Sequence, residues 1–154
     1  RHVYEGKEVM IRLNSTSDLP FYMVIDMEAL VRDIQNLRGF YDYTKMPNRW
    51  KFQNSAYHLT YSWSERSTLK TVSRFDRVSI VVSKKDHKKL LQHHGDIFGD
   101  GDKHDLRALD TKKFILLSVK QVGGFQQMNK RRSVSESFIQ SYDDVVSMFV
   151  GGAV

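Results

Sequence analysis

RVSIVVSKKDHKKLLQHH, residues 77–94, joins a β-rich run to a basic segment with a helical pattern. Val78, Ile80, Val81 and Val82 predict a strand. Ser83 then opens S-x-x-D with Asp86, a capping-box variant, so a short basic helix is expected over residues 84–94, ending at Gly95. Lys84, Lys85, Lys88 and Lys89 place four lysines in six positions of that helix. Like charges at i,i+4 cost about 0.2–0.5 kcal/mol per pair, and the N-terminal half of a helix disfavours cations. The motif is locally unfavourable, and an external anion is its natural explanation, with a solvated face that keeps the protein soluble as the plainer reading.

The rest of the chain repeats that basic character. The net charge is +6 and the pI about 9.5, and Lys112, Lys113 and Lys130, Arg131, Arg132 form two further clusters. Clustered Lys and Arg on a small domain are the footprint of a polyanion: nucleic acid, an anionic membrane surface or an acidic protein. At 154 residues one domain, 1–154, is expected, with enough chain to bury a core. The absence of cysteine excludes disulfides, thiol catalysis and Cys-ligated zinc. No apolar run approaches the roughly 18 residues of a membrane span. The chain opens on Arg1 with no signal-peptide pattern, so trimming at the N-terminus is expected.

Outward from the opening stretch, residues 56–63 alternate. Tyr57, Leu59, Tyr61 and Trp63 share one face and His58, Thr60 and Ser62 the other, which predicts a half-buried strand. Residues 3–13 and 113–122 also read as strands, residues 69–75 as a further short one, and residues 21–25 as strand or helix entry. Met27, Leu30, Val31, Ile34 and Leu37 predict a helix over residues 26–38, capped by Asp26 and closed by Gly39. Residues 40–52 read as aromatic and irregular, and residues 95–105 as a loop. Ser133-x-x-Glu136 suggests a second capping box. Val134, Phe138, Ile139, Tyr142, Val145, Val146 and Phe149 follow on one helical stripe that Gly151 and Gly152 stop. The expected class is α+β, an antiparallel sheet packed by two longer amphipathic helices and one short basic helix.

Catalytic and metal patterns are weak. His87, His93, His94 and His104 interleave with Asp86, Asp96, Asp100, Asp102 and Asp105, but no zincin motif is present. Asp100-x-Asp102 fails the calcium-loop template at His104 and Asp105. A solvated loop is the expectation, with no metal and no cofactor. There is no G-x-S-x-G elbow and no P-loop, so a non-enzymatic protein is expected; a small hydrolase using His93, His94 and Asp96 would need metal. Tyr41, Tyr43, Trp50 and Phe52 are candidates for self-association or lipid contact. Ser133 and Ser135 follow a basic run that suits a kinase, with an ordinary N-cap serine as the plainer reading at Ser133.

The order of these elements resembles the matrix proteins of rhabdoviruses. The resemblance runs from Tyr4-Glu5 and the first strand, through the aromatic basic segment and Leu69-Lys70, to Phe138-Ile139-Gln140-Ser141-Tyr142 and Met148-Phe149-Val150-Gly151. It implies a non-enzymatic structural protein of the virion and host cytoplasm, peripheral at the inner face of a membrane. Such a protein self-associates and bridges a viral nucleocapsid to anionic lipid during budding. A viral RNA-binding module, of the movement or silencing-suppressor kind, is the alternative. In either case Lys84, Lys85, Lys88, Lys89, Lys112, Lys113, Lys130, Arg131 and Arg132 would supply the electrostatics.

Overall fold

Six strands pair in one sheet that curls into half a barrel, and every pairing is parallel. The computed structural model describes residues 7–14, 17–119 and 139–151. Strands β1 (Val9–Arg12), β2 (Leu37–Thr44), β3 (Tyr57–Ser62), β4 (Arg77–Val82), β5 (Phe98–Asp100) and β6 (Phe114–Ser118) lie in the order β1-β2-β3-β4-β6-β5. The helices are α1 (Met27–Asp33), α2 (Leu69–Val72), α3 (Lys84–His94) and α4 (Tyr142–Phe149).

The expected antiparallel sheet is therefore corrected, although the mixture of helices and strands stands. Parallel neighbours need a crossover long enough to return the chain to the starting edge, and the sequence supplies one at each step. The first crossover is not the single helix expected over residues 26–38. In the structure α1 ends at Asp33, because Ile34 turns extended at φ −104°, ψ 110°. Leu37, taken as the last residue of the helical stripe, opens β2 and is buried. Gly39 has φ +153° within that strand rather than closing a helix. Where residues 69–75 predict a strand, Leu69–Val72 form a short helix, capped by Thr68, whose hydroxyl oxygen accepts from the Thr71 backbone N–H at 3.2 Å. The 95–105 loop contains edge strand β5.

Both faces of the inner strands β3, β4 and β6 are covered, as a parallel sheet requires, while edge strand β1 is largely exposed. Tyr57, Leu59, Tyr61 and Trp63 of the β3 segment align with Val78, Ile80 and Val82 and with Phe114 and Leu116, all on the face that the helices pack. Phe149 of α4 reaches this layer, with ring centroids 5.0 Å from Trp63 and 4.7 Å from Phe114. The expected stripe into the last helix is interrupted. Gln140 bridges Val82 in parallel, and Ser141, not Ser133, caps α4 through a capping box with Asp144. Ser133, Ser135 and Glu136 lie outside the described residues.

The other face carries Thr60, Ser79 and Ile115, all buried, with the 101–113 segment lying over it. Its anchor is Arg107, 1% exposed, which donates to the Gly101 carbonyl at 3.0 Å and pairs with Asp110 at 3.2 Å. Arg77 adds hydrogen bonds to the carbonyls of Ala108 and Asp110 at 3.0 and 3.1 Å. Thr60 and Ser79 of the polar alternation therefore face a second protein layer, not water, while His58 and Ser62 stay half-buried.

Gly101 is where that layer comes closest. A Cβ there would stand 2.6 Å from Arg107 Nη1 and 2.6 Å from Ile115 Cγ2. Gly101→Ala is expected to destabilise the protein by about 1–3 kcal/mol through overpacking, read as a lowered midpoint in chemical denaturation. A midpoint equal to the parent's would show that the 101–113 layer yields freely.

Candidate functional site at the carboxyl edge of the sheet

Helix α3 divides its residues by side. Ser83 caps it, its hydroxyl oxygen accepting from the Asp86 N–H at 3.0 Å while its O–H donates to the Asp86 carboxylate at 2.8 Å. His87 and Leu90 are buried against the sheet, whereas Lys84, Lys85, Lys88 and Lys89 are exposed. None of the four lysines forms an ion pair among the described residues; Lys89 has its ammonium 3.7 Å from the Tyr142 ring centroid.

The helix starts where the strands end. β4 leads through α3 over one face, β5 leads through residues 101–113 over the other, and β6 stands between them. Parallel sheets commonly bind ligands at this carboxyl edge, where connections diverge toward opposite faces. Three side chains converge there. His87 Nε2 stands 3.3 Å from Asp100 Oδ1 and 3.8 Å from Asp102 Oδ2. Asp102 is held by the last residue of β6, whose backbone N–H donates to its two oxygens at 3.2 and 3.3 Å and whose Oγ–H donates to Oδ2. The Asp102 N–H in turn donates to Asp100 Oδ1 at 3.1 Å.

The other histidines stay apart from this cluster. His93 and His94 both lie 3.2 Å from the Tyr142 hydroxyl, and His104 lies 3.6 Å from Asp110. Lys112 and Lys113 precede β6 at the opposite, amino edge, where the Lys112 ammonium donates to the Asp96 carbonyl at 2.5 Å. The basic clusters at 84–89 and 112–113 thus sit at different places. Lys130, Arg131 and Arg132 lie outside the described residues.

The aromatic candidates do not form one surface either. Tyr41 and Tyr43 project from β2 away from the helices, and the Tyr43 hydroxyl donates to Asp105 at 3.1 Å. Burial raises both phenols above their ordinary range, and the Asp105 carboxylate adds to it. Phe52 stacks on Tyr22 at 3.9 Å on the helical side, and Trp50 carries the Arg74 guanidinium at 5.2 Å. A further polar group, the buried Asp42, is saturated. It accepts from the Asn14 backbone N–H at 2.6 Å and from the Asn14 amide and Tyr57 hydroxyl, each at 2.8 Å. Its role is to fasten the ends of β1, β2 and β3.

The family model described as Gene product 88 matches residues 1–140, and the chain belongs to that family. No curated protein and no solved structure matches it.

His58, half-buried on β3, is held below the ordinary imidazole range first by burial and then by Arg77, against the opposing pull of Asp76. The unfolded chain therefore takes up this proton first, at about pH 6.5. The stability His58 confers is present above that pH and is lost as pH falls toward the lowered folded value. His58→Asn should flatten the difference in stability between about pH 7.5 and about pH 5 relative to the parent, measured by denaturation at both. Parallel pH profiles would remove His58 from the acid sensitivity.

Proposed function

We propose that this member of the Gene product 88 family is a binding domain for nucleic acid, gripped through its phosphates by Lys84, Lys85, Lys88 and Lys89 of α3. The supporting observation is that these four exposed ammonium groups crowd little more than one turn of a capped helix, with no carboxylate paired to any of them among the described residues. Two i,i+4 repulsions, Lys84 with Lys88 and Lys85 with Lys89, are maintained at about 0.2–0.5 kcal/mol each. A phosphate backbone relieves both while releasing its own counterions. The lysines also follow the carboxyl end of β4, the edge at which parallel sheets commonly bind ligands.

An anionic membrane is the other source of phosphate. A matrix-type protein at a bilayer needs apolar anchors beside its cations. Tyr41 and Tyr43 sit on the opposite face of the sheet from Trp50 and Phe52, and Tyr43, Trp50 and Phe52 each engage an intramolecular partner. That distribution favours nucleic acid over lipid.

Binding of single-stranded RNA across a salt series tests the reading. Four phosphate contacts predict a slope of log affinity on log salt near −2.8, at about 0.7 per contact. Lys84→Gln with Lys88→Gln should reduce that slope by roughly 1.4 and weaken binding at low salt. The same pair should leave thermal stability unchanged or slightly raised, because one repulsion is gone. Undiminished RNA binding by this variant would overturn the assignment to α3. Sedimentation with anionic liposomes and no RNA binding would return the protein to the matrix reading.

A further inference from the structure

We propose that His87, Asp100 and Asp102 form a site for one divalent cation of the manganese or zinc class, at the carboxyl edge of the sheet. One ligand atom from each of the three lies within 4.8 Å of the others. Metal–ligand bonds of about 2.1 Å at angles of 90–110° put neighbouring donor atoms about 3.0–3.4 Å apart. His87 Nε2 to Asp100 Oδ1, at 3.3 Å, already meets that spacing, and Asp102 Oδ2, at 3.8 Å, needs a shift of a few tenths of an ångström.

Two carboxylates alone would carry little weight, since acidic pairs on loops are common. The imidazole separates this cluster from them. His87 is 7% exposed, and its Nε2 is buried without a hydrogen bond although both carboxylates are near. A ring nitrogen that faces two oxygens without N–H···O geometry to either is placed as a third donor toward a common point, rather than as a proton donor to one of them. Leaving a buried polar nitrogen unpartnered is costly, and a bound cation would remove that cost.

The ligands are also braced. His87 stands on the buried side of α3, Asp100 ends β5, and Asp102 is oriented by hydrogen bonds from the backbone and side chain of Ser118. Outer hydrogen bonds of this kind fix ligating carboxylates and commonly change metal affinity by about 10–100-fold when removed. One nitrogen and two carboxylate oxygens suit Mn²⁺, which favours carboxylates, and borderline Zn²⁺; Ca²⁺ prefers six to eight oxygens. The partial exposure of Asp100 and Asp102 leaves an open side for water or another ligand.

Titration of the full 154-residue chain with Mn²⁺, followed by loss of the free-ion electron paramagnetic resonance signal, tests the site. One bound Mn²⁺ per chain, displaced by Zn²⁺, is expected. Asp100→Asn and Asp102→Asn should each weaken it by roughly tenfold or more, and Asp96→Asn, on the exposed turn after α3, should not. Circular dichroism establishes that the variants are folded; the two carboxylates are partly exposed, so they decide the matter even where His87→Gln unfolds. The Lys84→Gln and Lys88→Gln variant should keep the ion, which separates this site from the nucleic-acid reading. Absence of stoichiometric binding, or affinity equal to the parent's in both Asp→Asn variants, would overturn the proposal.

Discussion

A parallel sheet has no face to give to water, and in this chain the second face is closed by a buried guanidinium. Arg107 draws residues 101–113 across strands β3, β4 and β6 by binding the Gly101 carbonyl and the Asp110 carboxylate. Taking away one partner of a buried pair of this kind costs about 3–5 kcal/mol, because the other charge remains in low dielectric. Burial raises the Asp110 pKa, an effect opposed by Arg107, His104 and Arg77. Arg107 also reaches the edge chemistry. Gly101 lies between Asp100 and Asp102, and its missing side chain is what lets the guanidinium approach. The turn that closes the far face is therefore the turn that sets the two carboxylates opposite His87.

The local chemistry of the β4–α3 unit was legible in residues. Ser83 and Asp86 cap as S-x-x-D suggests, Gly95 ends the helix, and the parity of Tyr57, Leu59, Tyr61 and Trp63 marks the core face of β3. Strand direction was not legible. Alternation of apolar and polar residues usually reports one wet face and hence an antiparallel sheet. Here Thr60 and Ser79 are buried under the Arg107 layer, so the same alternation reports two different dry faces. Leu37 fell on the helical stripe of α1 by coincidence of spacing, which hid β2 and with it the first crossover. The Thr68 cap at the start of α2 was a readable signal that the apolar content of residues 69–75 outweighed.

The edge cluster was half legible. His87, Asp100 and Asp102 were all noticed, but the linear templates for zinc and calcium sites could not join them. The histidine comes from a helix and the carboxylates from the end of the following strand and the turn after it, and only the crossover brings them together. Sites built by topology carry no fixed spacing, in contrast to those built within one loop or one helix. The lysines were easier to read, because their crowding is local and its cost can be reckoned from neighbours on one helix.

The two charge systems of α3 stand close enough to affect each other. Lys84 precedes His87 by three positions, which on a helix places their Cβ atoms about 5–6 Å apart. That is inside the Debye length of about 8 Å at physiological ionic strength. Two ionised carboxylates beyond His87 would then lower the positive potential that the lysines offer to a polyanion, and a divalent cation among them would cancel that loss. The lysines in turn disfavour the cation by the same Coulomb term. Electrostatics alone therefore cannot decide occupancy of the edge; the balance falls to the buried, unpartnered His87 nitrogen, whose desolvation is already committed by the packing of α3 on the sheet.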